Sequence, residues 1–253
     1  MLSFANKTVL VTGSDRGIGR AVAVQFAAAG ARVALHFHSQ QDAIEQVQSQ
    51  LTGSGHITVQ ADLADVAAID RMVNEAIAAF GQIDILVNNA GIYQTHPLDA
   101  TKFDEWQAVW QKTIAVNLLG SVHTAYAVAQ HMIPRRQGRI INITSRGAFR
   151  GEPTAPAYAA SKAGLNAFSQ SIAQHLAPYG ISVSAIAPGW VETEMSRSTL
   201  ESPQGEAIRA QSGFNRVARP EEIAHTVLFL ASEQAEFLTG AIVDINGASY
   251  LRS

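Results

Sequence analysis

Apolar positions along the chain follow two alternating patterns. Short runs of mostly β-branched residues cover 7–12 (KTVLVT), 32–37, 56–60, 83–88, 139–144 (RIINIT), 181–187 and 241–245. Near-continuous runs of this kind suit strands buried on both faces. Between them the apolar residues step at helical spacing. Residues 17–29 form a helix of small residues, and Ile44, Val47 and Leu51 mark another. Val66, Ile69, Val73, Ile77 and Phe80 give a third its apolar face, and a long helical region covers 101–132. Over 158–177, Leu165, Phe168, Ile172 and Leu176 share one side. The stretch 220–231 opens with Pro and two Glu, which suit the positive end of a helix dipole.

Strict alternation calls for right-handed crossovers and a covered parallel sheet. The expectation is an α/β protein: a single Rossmann-type doubly wound domain over 1–253, with about seven parallel strands and helices on both faces. The polar, Ser-, Thr-, Gly- and Pro-bearing segment 191–213 follows a strand's C-terminal end. Ligands bind at that edge of open sheets, so this segment is the expected mobile substrate lid.

Composition narrows the classes. The 253 residues are 47% hydrophobic and 15% charged, with net charge −3. That balance argues against an electrostatic nucleic-acid binder. No apolar stretch reaches the length of a membrane span, and the N-terminus has no signal-peptide pattern. The absence of cysteine rules out disulfides, thiolate metal sites and a cysteine nucleophile, and agrees with a cytoplasmic location.

Two clusters carry chemistry. Thr12-Gly13-Ser14-Asp15-Arg16-Gly17-Ile18-Gly19 follows a strand and opens a helix. Glycines there let a pyrophosphate approach free N–H groups at the helix N-terminus. The spacing departs from G-x-G-x-x-G, and the lysine of a P-loop is missing, so an NTPase or kinase does not fit. No G-x-S-x-G is present, which removes an α/β-hydrolase. The second cluster, Tyr158-Ala159-Ala160-Ser161-Lys162, sets a phenol and an ammonium on one helix face. A nearby cation favours the phenolate, so Lys162 is expected to lower the Tyr158 pKa into a range suited to proton exchange.

These pieces, with DL (62–63), NNAG (88–91), VN (116–117), ITS (143–145), PG with V-x-T (188–193) and TG (239–240), resemble the short-chain dehydrogenase/reductase family in order and spacing. The likeness runs from about Lys7 to Gly247. It implies that Tyr158 is the acid/base, that Ser145 steadies the substrate oxygen, and that Lys162 tunes Tyr158 and holds the nicotinamide ribose. Asn117 would hold a water leading from Lys162 to solvent. Gly13, Ser14, Gly17, Ile18 and Gly19 would cradle the pyrophosphate. Asp62 and Leu63 would meet the adenine, and Asn89, Ala90 and Gly91 its ribose. Pro188, Gly189, Val191 and Thr193 would seat the nicotinamide. Asp62 as a helix cap and Asn88 as a brace within the sheet are the plainer alternatives at those positions.

NAD-users place an acid at the end of the second strand. Phe37 stands there instead. Arg16, His38 and Ser39 could hold a 2′-phosphate, so NADP(H) is favoured, with NAD(H) the alternative. His36 and His38 share a strand face but lack a third ligand at a recognised spacing, so no metal site is expected.

The segments GRIINITS, YAASKAG and APGWVETEM read most like 3-oxoacyl-(acyl-carrier-protein) reductases, although reductases of other ketones, sugars and steroids share them. Such reductases dock an acidic carrier on basic residues near the entrance to the active site. Arg135 and Arg136 match one such position, while Tyr179 replaces the arginine usual at the other. The resemblance leaves an acyl carrier protein weakly supported as a partner and a small carbonyl or alcohol as the main substrate class. It also implies a homotetramer, paired through the long helix and the Tyr158 helix. Ala115, Ala125, Ala127, Ala129, Ala163 and Ala167 would keep those helices small-faced. Arg146 and Arg150 flank the catalytic serine and could meet an anionic substrate. A non-catalytic nucleotide sensor is the competing class, and it would not need all four catalytic positions filled.

Overall fold

The computed structural model describes residues 2–252. In chain order its first half comprises β1 (Thr8–Val11), α1 (Gly17–Ala28), β2 (Arg32–Phe37), α2 (Gln41–Gln50), β3 (Ile57–Gln60), α3 (Val66–Phe80) and β4 (Ile85–Asn88). Next come α4 (Phe103–Ile114), a π-helical turn (Ala115–Gly120), α5 (Ser121–Arg135) and β5 (Gly138–Ile143). The remainder is α6 (Gly147–Arg150), α7 (Pro156–Leu176), β6 (Ile181–Pro188), α8 (Glu194–Leu200), α9 (Gly205–Arg209), α10 (Pro220–Ala231) and β7 (Ile242–Ile245).

The seven strands pair in parallel in the order β3-β2-β1-β4-β5-β6-β7. The order reverses between β1 and β4. At such a point successive crossovers leave toward opposite sides and open a crevice at the strands' carboxyl ends. β1, β4, β5 and β6 are buried along their whole length, which is why they read as unbroken apolar runs.

Each face of the sheet has its own core. Val22, Phe26, Ile44, Ile223 and Val227, from α1, α2 and α10, cover one face. Ile69, Met72, Val128, Met132 and Leu176, from α3, α5 and α7, cover the other. Asp65 caps α3 by accepting from Ala67 N–H, and Gly81 ends it in the left-handed region. Val66, read as part of the apolar face, is exposed.

Two regions carry detail that the sequence reading did not specify. The long helical region is interrupted by the π-helical turn around Asn117. The segment 191–213 contains two short helices, α8 and α9, and is tied down by Gly213 N–H donating to Gly247 C=O at 3.0 Å. No helix among the described residues is long and apolar enough to cross a membrane.

Candidate active site

A cleft of about 610 Å³ lies along the carboxyl ends of the strands. Its first part is the glycine loop between β1 and α1. Gly13 and Gly17 have φ of +63° and +53°, left-handed values that cost a β-carbon-bearing residue about 1–2 kcal/mol. A Cβ on Gly19 would sit 2.0 Å from Gly13 O and 2.5 Å from Asn89 Nδ2, so only glycine permits the helix to start this close to the loop. No side chain caps α1. Its first N–H groups are therefore free to face a pyrophosphate.

The loop is held from three sides. Thr12 Oγ1 accepts from Asn89 and Ala90 N–H at 2.9 and 3.0 Å. Asn89 Nδ2 donates to Thr12 O and Gly13 O, both at 2.9 Å. The third brace is His36, which is 2% exposed. Its Nδ1 accepts from Gly13 N–H at 3.0 Å, and Nε2 lies 3.1 Å from Ala61 O. Those partners fix a neutral ring with the proton on Nε2. Burial drives its pKa down to about 4. His36 is thus spent on the fold of the cofactor pocket, joining the glycine loop to the end of β3.

Ser14 does not face the cleft. Its hydroxyl is buried and donates to Val11 O at 2.5 Å, and its N–H goes to His36 O at 2.8 Å. With both donors committed to the fold, it has none left for a phosphate, contrary to the expectation from the sequence. Gly19 likewise acts by lacking a side chain rather than by lining the cleft.

At the outer end of the pocket, Phe37 is buried, and no carboxylate occupies the end of β2. Arg16 and His38 have side chains 60% and 67% exposed, and their nearest acids, Asp15 and Asp62, stand 3.8 and 3.9 Å away. Ser39, Asp62 and Leu63 complete this end. Asp62 Oδ1 accepts from Ala64 N–H at 2.9 Å, while the capping role belongs to Asp65. Ala90 and Gly91 form the middle of the cleft. Pro188, Gly189, Val191 and Thr193 descend from β6 along the far wall. Thr193 caps α8 and packs on Gly17, where a Cβ would meet it at 3.2 Å.

Ser145, Tyr158 and Lys162 line the deep end together. Ser145 ends the turn after β5, with its Oγ accepting from Gly147 N–H at 3.0 Å. Pro156 starts α7, and this helix carries Tyr158 and Lys162 one turn apart. Lys162 is buried, donates to Ile143 O at 2.9 Å, and has Nζ 5.8 Å from the centre of the Tyr158 ring. Burial pulls its pKa down to about 8. Tyr158 keeps part of its surface open to the cleft. Even so, burial pushes its phenol up to about 12, against an opposing pull from the Ser145 hydroxyl.

The expected lowering of the Tyr158 pKa by Lys162 is therefore not met in this cleft. The ammonium is directed at Ile143 O, and the low-dielectric surroundings penalise both charged forms.

Asn117 sits behind this group in the π-helical turn. It exchanges two hydrogen bonds with Ile92, at 2.8 and 2.9 Å, and its Nδ2 lies 3.3 Å from Ser161 Oγ. Asn117 thus ties the bend in the long helix to the chain after β4, beneath Lys162. Asn88 braces the sheet by donating to Asn142 Oδ1 at 2.9 Å and to Ser121 O at 3.2 Å.

Several residues took roles that the sequence did not signal. Tyr93 packs edge-on against Tyr158 with ring centres 5.0 Å apart. Glu152, Trp190, Met195 and Thr199 also line the cleft. Arg146 is buried and bonds Ser249 Oγ at 2.5 Å and Gln211 Oε1 at 3.1 Å, so its guanidinium joins the segment 191–213 to the C-terminal tail.

Arg135 pairs with Asp84 at 3.2 Å and donates to Ile83 O at 2.6 Å. Arg136 donates to Pro178 O and stacks on Tyr179. Both precede β5, whereas Ser145 follows it. Six strand residues, about 20 Å, separate them from the cleft edge within one chain. The expected position beside the entrance is not met in a single chain.

Known proteins agree with this layout. The short chain dehydrogenase family profile matches residues 7–204. The 3-oxoacyl-[acyl-carrier-protein] reductase of Escherichia coli K12 is 39% identical over 250 residues, covering 99% of this chain and all of that protein. The Synechocystis reductase of the same name is 36% identical, covering 98% of each. A short chain dehydrogenase from Burkholderia cenocepacia, solved in complex with NADP, superposes with a TM-score of 0.86 at 31% identity, covering 97% of this chain and 98% of that one. With the profile spanning most of the sequence and full-length relatives well above 30% identity, the chain belongs to the short-chain dehydrogenase family of oxidoreductases.

Proposed function

We propose that this oxidoreductase uses NADPH to reduce a ketone on a small molecule to a secondary alcohol, and in reverse oxidises that alcohol. The observation that carries the reading is the joint placement of Ser145, Tyr158 and Lys162 at one end of a cleft whose other end is an uncapped helix N-terminus. The nicotinamide, when bound, supplies the hydride to the carbonyl carbon. Tyr158 is a neutral acid at physiological pH and gives its phenolic proton to the carbonyl oxygen. Ser145 donates a hydrogen bond to the same oxygen as charge builds there. Lys162, with a pKa of about 8, is mostly charged at pH 7 and offsets the phenolate left behind. Gly13, Gly17 and Ile18 would receive the pyrophosphate, and Arg16, His38 and Ser39 the 2′-phosphate. The lid formed by α8 and α9 would exclude water over the substrate.

Preference for NADP is supported by Phe37 at the end of β2, by exposed Arg16 and His38, and by the NADP-bound Burkholderia neighbour. A carrier-borne 3-oxoacyl thioester is the second reading, favoured by the curated relatives. The small-ketone reading is preferred because Arg136 is spent on Pro178 and Tyr179.

Assembly into a cytoplasmic homotetramer belongs to the same proposal. Exposed Phe103, Leu119 and Tyr126 on the α4–α5 side, with Ala163 and Ala167 on α7, offer one pairing face. Exposed Phe237, Leu238 and Leu251 offer another. Ala125 and Ala129 are not part of the first face, because they point into the protomer's own core.

The test is fluorescence titration with NADPH and NADH, followed by turnover on acetoacetyl thioesters and simple ketones. The reading expects tighter NADPH binding and turnover of at least one ketone. A preference for NADH would refute the roles of Arg16 and His38. Binding without any turnover would favour a nucleotide sensor.

A further inference from the structure

The substrate end of the cleft has walls of Ile92, Tyr93, Trp190 and Met195. Beside these walls the cleft carries the carboxylates of Glu152 and Glu194. Glu194 Oε2 lies toward the glycine loop, 3.6 Å from where a Cβ on Gly17 would sit, which leaves Glu152 as the carboxylate on the Ser145 side. It lines the same cleft as Ser145 and Tyr158. Its position is fixed by the serine's own loop: a Cβ on Gly147 would sit 2.6 Å from Glu152 Oε1. The absence of a side chain at Gly147 therefore lets the carboxylate lie against the backbone two residues beyond Ser145.

The Glu152 side chain is 16% exposed, and its nearest cation, Arg150 Nη2, stands at 3.8 Å. That is longer than a hydrogen bond, so the contact offsets charge without satisfying the oxygens. Burial accordingly holds the Glu152 pKa above its ordinary value, against the opposing fields of Arg150 and Arg146. The Glu152 charge in turn reaches Tyr158 and Tyr93 and adds to the rise in both phenol pKa values.

We propose that Glu152 sets substrate choice, and that the cleft takes ketones bearing a hydroxyl group close to the carbonyl, with the carboxylate accepting the hydrogen bond from that hydroxyl. The inference rests on the reductase reading of the same site. A ketone lacking a donor would displace water from this carboxylate and return nothing, which is the situation in which an enzyme discriminates most strongly. Arg150 beside it makes the local pair neutral, so a hydroxyl suits the site better than an ammonium group. The same reasoning ranks a plain 3-oxoacyl chain below a hydroxy ketone.

The experiment compares near-isosteric pairs in NADPH-driven reduction: 1-hydroxybutan-2-one against pentan-3-one, and 4-hydroxybutan-2-one against pentan-2-one. A hydrogen bond to a charged acceptor predicts that the wild-type protein favours the hydroxy member of at least one pair by about tenfold or more in kcat/KM. In Glu152→Gln, which keeps the shape and removes the charge, that ratio falls several-fold. In Glu152→Leu it falls to about one or below. Equal kcat/KM within both pairs for the wild-type protein, or a ratio that survives both substitutions, overturns the inference and leaves the reductase reading standing. Turnover of acetoacetyl thioester with none of the four ketones reduced does the same. Bound NADPH with no substrate turned over overturns both.

Discussion

Protonating His36 should loosen the protein in a pH window set by its burial. The ring accepts from Gly13 N–H, which requires an unprotonated Nδ1, and its Nε2–H faces Ala61 O, a contact that protonation keeps. Its pKa is lowered from 6.5 to about 4. A depressed base binds fewer protons folded than unfolded, so its contribution to stability is fully present above pH 6.5. That contribution is lost as pH falls toward 4.

The whole shift corresponds to about 3 kcal/mol, of which about 2 kcal/mol is lost by pH 5. The charged groups around the ring are Asp15, His38 and Asp62, and they are common to the variants compared, so a difference between proteins isolates His36. Urea unfolding of the wild type, His36→Asn and His36→Leu at pH 7.5 and 5 measures it. Asn retains an acceptor near Gly13 N–H and cannot titrate. It should lose less stability than the wild type on going to pH 5, by about 2 kcal/mol. Leu leaves both backbone groups unpaired, at about 1–3 kcal/mol each, and should also raise KM for NADPH. Equal losses on acidification in the wild type and His36→Asn would refute the reasoning.

Two further outcomes follow from the same geometry. Lys162 must be charged to support proton transfer from Tyr158, and its pKa is about 8. The rate of ketone reduction should therefore be level below neutrality and fall as pH rises through about 8, in a kcat profile at saturating NADPH. Gly19→Ala places a methyl group 2.0 Å from Gly13 O. It should weaken NADPH binding at least about tenfold by fluorescence titration and lower the melting temperature, because the clash is with backbone that has nowhere to retreat.

The sheet and most of the cleft were legible in the sequence for physical reasons. A strand buried on both faces is apolar along its length, so 32–37 was read with the bounds of β2, and Pro with two Glu at a helix start gave 220–231 the bounds of α10. Residues whose role is to be glycine, such as Gly13 and Gly17, announce themselves by type. Other features leave no local signal. Nothing in the residue types of Ala115–Gly120 marks the π-helical turn, and the four residues of α6 are too few to establish a period. Sequence placed Ser14 in the loop without telling which way its hydroxyl points. Sequence likewise put Ala125 and Ala129 on a helix without saying which neighbour they meet. Tyr93 and Glu152 reach the cleft only through tertiary packing. The expected lowering of the Tyr158 pKa failed because spacing along a helix gives proximity but not burial, and burial decides the shift here.

The central claim is that Tyr158 gives the proton that completes ketone reduction. Tyr158→Phe keeps the ring that packs on Tyr93 and removes only the hydroxyl. With a ketone that the wild-type protein reduces, the account predicts NADPH affinity within a few-fold of wild type and a kcat lower by about 10²–10⁴. Turnover at the wild-type rate, with NADPH bound equally well, would contradict it.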